Sequence, residues 1–211
     1  MKKLFILLFS LFLLNSSSVF ADDISDFQIE GISIGDSLLD YLTEDEILKE
    51  LEISIKSNDN FNLKEPFKYL DVYLYDDLSN YDYIAILVKN NNLVNKYLTN
   101  KYEKYEIQTI RGMIDYIGDL DSCILKRDSI AKDLSLTYPD VKKVEKSFFL
   151  KSDPSGKSIK YEINLIFDSG DKIEVSCDDY EESFRIKHNW GEGLNIILMT
   201  SDVYNWAIDF N

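Results

Sequence analysis

Between residues 159 and 177 apolar side chains recur at every second position. Ile159, Tyr161, Ile163, Leu165 and Phe167 alternate with Lys160, Glu162, Asn164 and Ile166; Ser169-Gly170 offers a turn, and Ile173, Val175 and Cys177 continue the apolar positions. Successive side chains of a strand point to opposite sides, so the pattern predicts a β-hairpin with one face on a core. A strand over 144–150 and another over 194–200 extend it to a four-stranded antiparallel meander. Such a sheet needs a covering layer, and the residues upstream supply one. Over 119–137 the period changes: Leu120, Cys123, Ile124, Arg127, Ala131 and Leu134 share one helical face, with Asp119 placed to cap it. Pro139 ends the helix by disfavouring helical backbone at Tyr138.

The remainder uses the same two periods. Residues 27–34 read as a short strand with Gly31 as a bulge. Asp36-Ser37 can cap a helical turn bearing Leu38, Leu39 and Leu42, and Thr43-Glu44-Asp45-Glu46 is a capping box for a second segment with Ile47, Leu48 and Leu51. Residues 57–62 form a polar linker. The β-branched and aromatic runs 67–75 and 81–89 predict another hairpin, 107–116 a further strand, and Ser201-Asp202 the cap of a short C-terminal helix with Val203, Trp206, Ala207 and Phe210. Helices that precede and follow runs of strands, instead of separating each pair, place the chain in the α+β class with antiparallel sheets. The expected organisation is a processing segment over 1–21, an acidic βα arm over 22–60 and an α+β domain over 61–211.

Composition narrows the chemistry. With Lys+Arg 23 against Asp+Glu 38, the formal charge is −15, which opposes nucleic-acid binding because affinity for a phosphate backbone comes from basic side chains. The excess is concentrated at the front: residues 22–60 hold twelve acids and only Lys49 and Lys56 as bases. A solvated face accounts for such a run, and a cation or polyamine binder is the functional alternative. One His and two Cys are too few for His-rich or four-thiolate metal sites, and no residue pattern asks for a cofactor.

The N-terminus has the layout of a secretory signal. Lys2 and Lys3 precede an apolar run over 4–14, residues 15–18 are polar, and Val19-Phe20-Ala21 presents small residues for cleavage between Ala21 and Asp22. The run is short for a membrane span, which takes about twenty apolar residues. A periplasmic or secreted product without a transmembrane span is expected.

Export bears on the cysteines. Cys123 lies on the apolar face of the predicted helix and Cys177 on that of the hairpin, so both point into one layer, and an oxidising compartment favours a disulfide between them. Two buried thiols are the alternative. A catalytic thiol lacks support because the only histidine, His188, follows Arg185-Ile186-Lys187 with no cysteine-protease signature nearby.

Gly35-Asp36-Ser37-Leu38 resembles the opening block of the GDSL esterases, which would make Ser37 a nucleophile with His188 as its only available base. That family places an Asp three residues before its histidine, where this chain has Arg185, and its Gly-x-Asn-Asp block is missing. Without a base Ser37 has no route to activation, whereas Asp and Ser suit a helix cap. Ser155-Gly156-Lys157-Ser158 lacks the leading glycine of a phosphate loop, and Asp153-Pro154-Ser155-Gly156 reads as a β-turn. Asp178, Asp179, Glu181 and Glu182 read as a solvated acidic run.

Aromatics are the remaining resource. Tyr69, Tyr73, Tyr75, Tyr81 and Tyr83 gather in the hairpin 67–89; tyrosine is at home in strands, and when exposed it is good contact material. They mark a candidate interaction surface for a protein or small-molecule partner. The opening over 27–41, Phe-Gln-Ile-Glu-Gly-Ile-Ser-Ile-Gly-Asp-Ser-Leu-Leu-Asp-Tyr, following a signal, resembles a group of small exported proteins from marine bacteria. The resemblance implies bacterial export and no particular activity. The expectation is an exported, non-catalytic binding or interaction module.

Overall fold

The structure, a computed structural model, describes residues 23–57, 65, 67–90 and 104–208. The expected signal, the Ala21–Asp22 junction and most of the 57–62 linker lie outside these residues.

Among the described residues there are two sheets. A two-stranded one pairs β1 (Gln28–Ile29) with β2 (Ile32–Ser33). The other has seven strands: β3 (Tyr69–Leu74), β4 (Tyr83–Lys89), β5 (Ile107–Asp115), β6 (Lys142–Phe149), β7 (Ile159–Ile166), β8 (Lys172–Asp179) and β9 (Gly193–Met199), in the spatial order β3-β4-β5-β9-β8-β7-β6. Every neighbouring pair is antiparallel, so the fold is α+β as expected. The two predicted meanders merge into one sheet because β9, the last strand of the second, docks on β5, the last of the first. In this alternation β5 and β6 run in the same direction at a distance, and α2 (Leu120–Thr137) makes the crossover that parallel strands require.

One face of the sheet is apolar. Leu70, Val72, Ile84, Ile86, Ile110, Ile163, Leu165, Ile173, Val175, Leu194 and Leu198 are buried there beneath α2 and the N-terminal arm, which adds Ile24, Ile29, Ile32 and Leu38. Asp119 caps α2 through the Ser122 N–H at 3.2 Å. The Cys123–Cys177 disulfide joins the first turn of α2 to β8, with Cα atoms 6.1 Å apart. Arg127 is also buried on this helix and donates to Asp128 at 2.7 Å and to Glu145 of β6 at 3.0 Å.

α1 (Glu44–Ser57) packs on β3 through Ile47 and Leu51. Its capping box is formed, with Thr43 N–H donating to Glu46 at 2.9 Å and Glu46 N–H to Thr43 Oγ1 at 3.4 Å. Ser54 accepts from Asp71 N–H at 3.0 Å, which occupies the edge of β3. The opposite edge strand, β6, is largely exposed and guarded by Lys142, Lys143, Glu145 and Lys146.

Two local expectations differ from the outcome. Residues 27–34 are a miniature hairpin, not one bulged strand: Glu30 and Gly31 both take positive φ, 51° and 79°, as a tight two-residue turn demands. Glycine accepts that conformation without cost, and Glu30 is held in it by accepting from Asn80 N–H at 2.9 Å and Nδ2 at 3.0 Å. The acidic run around 181 is not merely solvated but opens a helix, α3 (Glu182–His188), whose cap is the Glu181 carboxylate accepting Phe184 N–H at 2.9 Å. Glutamate is not among the usual capping residues, so the signal was hidden. α4 (Ser201–Ile208) closes the described chain. The turn at 153–156 forms as expected; Asp153, buried, accepts from Ser155 N–H at 2.8 Å and Ser158 Oγ at 2.7 Å. Burial would raise its carboxyl, but these serine bonds outweigh it and hold the group well below the usual range.

Candidate functional site

The second face of the sheet is assembled from the alternate residues of the same strands. Register places Tyr73 opposite Ala85, Ala85 opposite Arg111, Arg111 opposite Ile197, Ile197 opposite Glu174 and Glu174 opposite Asn164. The next row runs Tyr83, Met113, Asn195, Ser176, Glu162 and Lys146, and beyond it Asp178 faces Lys160. α4 covers one end, where Trp206 meets the Tyr69 ring edge-on at 5.0 Å. α3 and the turn after it cover the other, where Tyr180, Phe184, His188 and Trp190 cluster. Gly193 lets the start of β9 lie close on β5: at φ +151° a Cβ would lie 2.4 Å from the Ile114 carbonyl oxygen.

Between the two ends lies a network of ionised side chains. Glu174, only 4% exposed, accepts from Lys160 at 2.7 Å, Lys172 at 3.1 Å and Ser176 at 3.0 Å. Burial would raise its pKa, but the two ammonium groups prevail and lower it to about 2. Lys160 is pushed the other way: burial would lower it, and Glu174 with Asp178 more than compensates. Glu162 pairs with Lys146 at 2.9 Å and accepts from Asn164 at 2.7 Å. Asp178 takes Asn195 Nδ2 at 3.0 Å and Tyr180 OH at 3.4 Å on one oxygen, while its other oxygen is buried without a hydrogen-bond partner among the described residues. Buried carboxylates are costly unless paired, and the pairing here is nearly complete.

At the edge of this network stands Arg111. Its Nε donates to Asn195 Oδ1 at 2.6 Å, and one terminal nitrogen lies 3.8 Å from Asp178 Oδ2, beyond hydrogen-bonding range. The side chain keeps 34% of its surface exposed. Tyr73, Tyr83 and Tyr180 surround the guanidinium, and burial raises all three hydroxyls above their ordinary titration range. Tyr73 and Tyr75 stack with centroids 6.1 Å apart, and Tyr83 closes the group at 6.0 Å from Tyr75.

No family model, curated protein or solved structure matches this chain. The site therefore has to be read from its own geometry.

Of the five hairpin tyrosines, the structure brings Tyr73, Tyr75 and Tyr83 together at the open face. Tyr69 is buried under Trp206, and Tyr81 packs on the apolar side over Gly112, where a Cβ would lie 2.4 Å from its ring. Both fail as exposed contacts for one reason: the ends of the hairpin are covered by α4 and by the core.

Ser37 and His188 are not brought together. Ser37 is fully buried, its Oγ donates to the Lys104 carbonyl at 2.8 Å and accepts Leu39 N–H at 3.3 Å, and it bridges to Glu106 at the start of β5. His188 belongs to α3, which leads to β9 at the other end of β5, a strand about 27 Å long at strand rise. Ser37 acts as the expected cap.

In the acidic arm, carboxylates take structural partners: Glu30 holds Asn80, Asp36 accepts from Tyr41 and from Ser33 N–H, Glu44 pairs with Lys104 at 3.3 Å, and Glu52 with Lys56 at 2.7 Å. Among the described residues no group of three or more His, Cys, Asp or Glu converges as a metal site, and no helix is long and apolar enough to cross a membrane.

Sequence reasoning missed Arg111, Lys160, Glu162, Glu174, Asp178, Tyr180 and Asn195. The available signal was the alternation itself, since the charges between the apolar positions of β7 and β8 change sign along one face.

Proposed function

We propose that this is an exported, periplasmic or secreted binding module that holds a small molecule or partner on the open face of its sheet and carries out no reaction. The observation that carries this reading is the Tyr73–Tyr75–Tyr83 cluster beside a one-third-exposed Arg111. Charged and aromatic groups on a face flanked, but not roofed, by α3 and α4 offer both contact area and orienting polar groups, the combination that binding sites use. The Cys123–Cys177 disulfide fits an oxidising compartment.

The test is a chemical-shift survey of the full chain against neutral aromatics, sugars, organic acids and amines, repeated with Tyr75→Ala. Saturable shifts confined to the Tyr73, Tyr75 and Tyr83 rings, and weakened in the variant, support the reading. Shifts scattered over the surface, or hydrolysis of a model ester that disappears in Ser37→Ala, refute it. Export has its own check: the periplasmic product should begin at Asp22 by intact mass.

A further inference from the structure

We infer that Arg111 receives the carboxylate of a small monoanionic organic acid whose planar body lies against Tyr73, Tyr75 and Tyr83; this rests on the binding face proposed above and names its ligand class. Arg111 is held like a receptor group. Asn195 Oδ1 fixes Nε at 2.6 Å, and Asn195 is itself fixed by donating to Asp178 Oδ2 at 3.0 Å and the Gly193 carbonyl at 3.3 Å. The terminal nitrogens are left over: the nearest carboxylate stands 3.8 Å from one of them, and no hydrogen bond among the described residues uses either. A guanidinium fixed at Nε with its outer edge open presents two parallel donors, the geometry that fits a carboxylate in a bidentate pair.

Charge selects a monoanion. The ion pairs of this face connect Lys146, Lys160, Lys172 and Arg111 with Glu162, Glu174 and Asp178. Lys146, Lys160 and Lys172 each stand within 3.1 Å of Glu162 or Glu174, whereas Arg111 comes no nearer than 3.8 Å to Asp178. A single carboxylate can pair with it. A dianion such as phosphate would face Asp178 with surplus negative charge, and Asp71 and Asp115 share the same face. Shape selects the rest of the ligand. Tyr73 and Tyr75 stack within 13° of parallel and are 37% and 64% exposed, so the more exposed Tyr75 ring can extend the stack onto a planar ligand. The hydroxyls of Tyr73 and Tyr83, which burial keeps protonated, remain donors to the same anion.

The experiment titrates benzoate, benzamide and inorganic phosphate into the full disulfide-bonded protein, following the Arg111 Nε–H and the tyrosine ring signals. Benzoate should give saturable shifts at Arg111 and the three rings, with benzamide and phosphate each at least about tenfold weaker. Arg111→Lys, which keeps the charge but loses the fork, should weaken benzoate by about tenfold while its unfolding midpoint stays near that of the parent. Equal binding of benzoate and benzamide, stronger binding of phosphate, or benzoate shifts away from Arg111 would overturn the inference. If neutral probes shift the tyrosines while carboxylates do not, the binding face survives and the ligand class falls. If no probe shifts them, both fall.

Discussion

On one side of the seven-stranded sheet, Ile110, Val175, Leu194 and Leu198 are buried under α2 and the N-terminal arm; on the other, one residue along in the same strands, stand Arg111, Glu174, Asn195 and Ser176. All of these but Arg111, which stays one-third exposed, are withdrawn from water, by different means on the two sides. The apolar face gains from area removed from solvent, roughly 25 cal/mol for each Å². The polar face gains little from area and depends on each charge finding its partner, because an ionised group left alone in such a place costs several kcal/mol. The first arrangement tolerates small changes of shape. The second tolerates removal of a whole pair better than removal of half of one. It is also the face on which, among the described residues, the Arg111 terminal nitrogens make no hydrogen bond, and on which we propose that a ligand binds.

The largest expected effect is on the apolar side. Replacing Cys123 and Cys177 together by Ser releases a crosslink spanning 54 residues of sequence, and should cost about 4 kcal/mol by denaturant unfolding. A loss below about 1 kcal/mol would show that α2 is held by packing alone.

Next comes Lys160→Met, which leaves Glu174 and Asp178 short of a cation and should cost about 3 kcal/mol. The double variant Lys160→Met with Glu174→Met should recover much of that loss, as no core packing on the helix side could. The pair also sets an acid limb. Glu174 is lowered from 4.5 to about 2 in the fold, so its stabilisation is present above pH 4.5 and drains away as pH falls towards 2. Acid titration of the unfolding free energy should show that limb in the parent, and Glu174→Gln should flatten it. At the alkaline end the sign reverses: Tyr69, raised from 10.0 to about 12 by burial, favours the fold below pH 10 and loses that advantage above it. The tyrosinate absorbance lost in Tyr69→Phe, taken as the difference from the parent, should therefore appear only well above pH 10.

A smaller change is predicted for Ile173→Val, about 1 kcal/mol for one methylene removed beneath α2. The smallest is for Tyr75→Ala. Its ring is mostly exposed, so stability should shift by no more than about 0.5 kcal/mol, while ligand-induced shifts at Tyr73 and Tyr83 should weaken. A large loss of stability would instead make the tyrosine cluster part of the scaffold.

Period-two alternation settled β7 and β8 at the level of single residues, and the capping signals at Asp119 and at Thr43 with Glu46 proved to be hydrogen bonds. These are local statements, since side-chain direction and cap geometry depend on neighbours a few residues away. The disulfide was legible for the same reason: two local periods put Cys123 and Cys177 on facing apolar surfaces. Less was legible where a contact comes from far along the chain. Glu30 takes the left-handed conformation that the β1–β2 turn demands while its carboxylate meets Asn80, fifty residues on, and Glu181 caps α3 although its residue type does not announce it.

The candidate site was the least legible part. Arg111 and Asn195 are 84 residues apart, and each reads in its own strand as an ordinary polar position. From the sequence alone came the strands, the main helices, the stapled pair of cysteines and the prospect of an interaction surface among the hairpin tyrosines. The docking of β9 against β5 decided the rest: it joined two meanders into one sheet and set Arg111 beside Asn195 and Asp178, with its terminal nitrogens given no hydrogen bond among the described residues. Periodicity tells a strand which of its sides turns from water, and only the neighbouring strands determine what each side meets there.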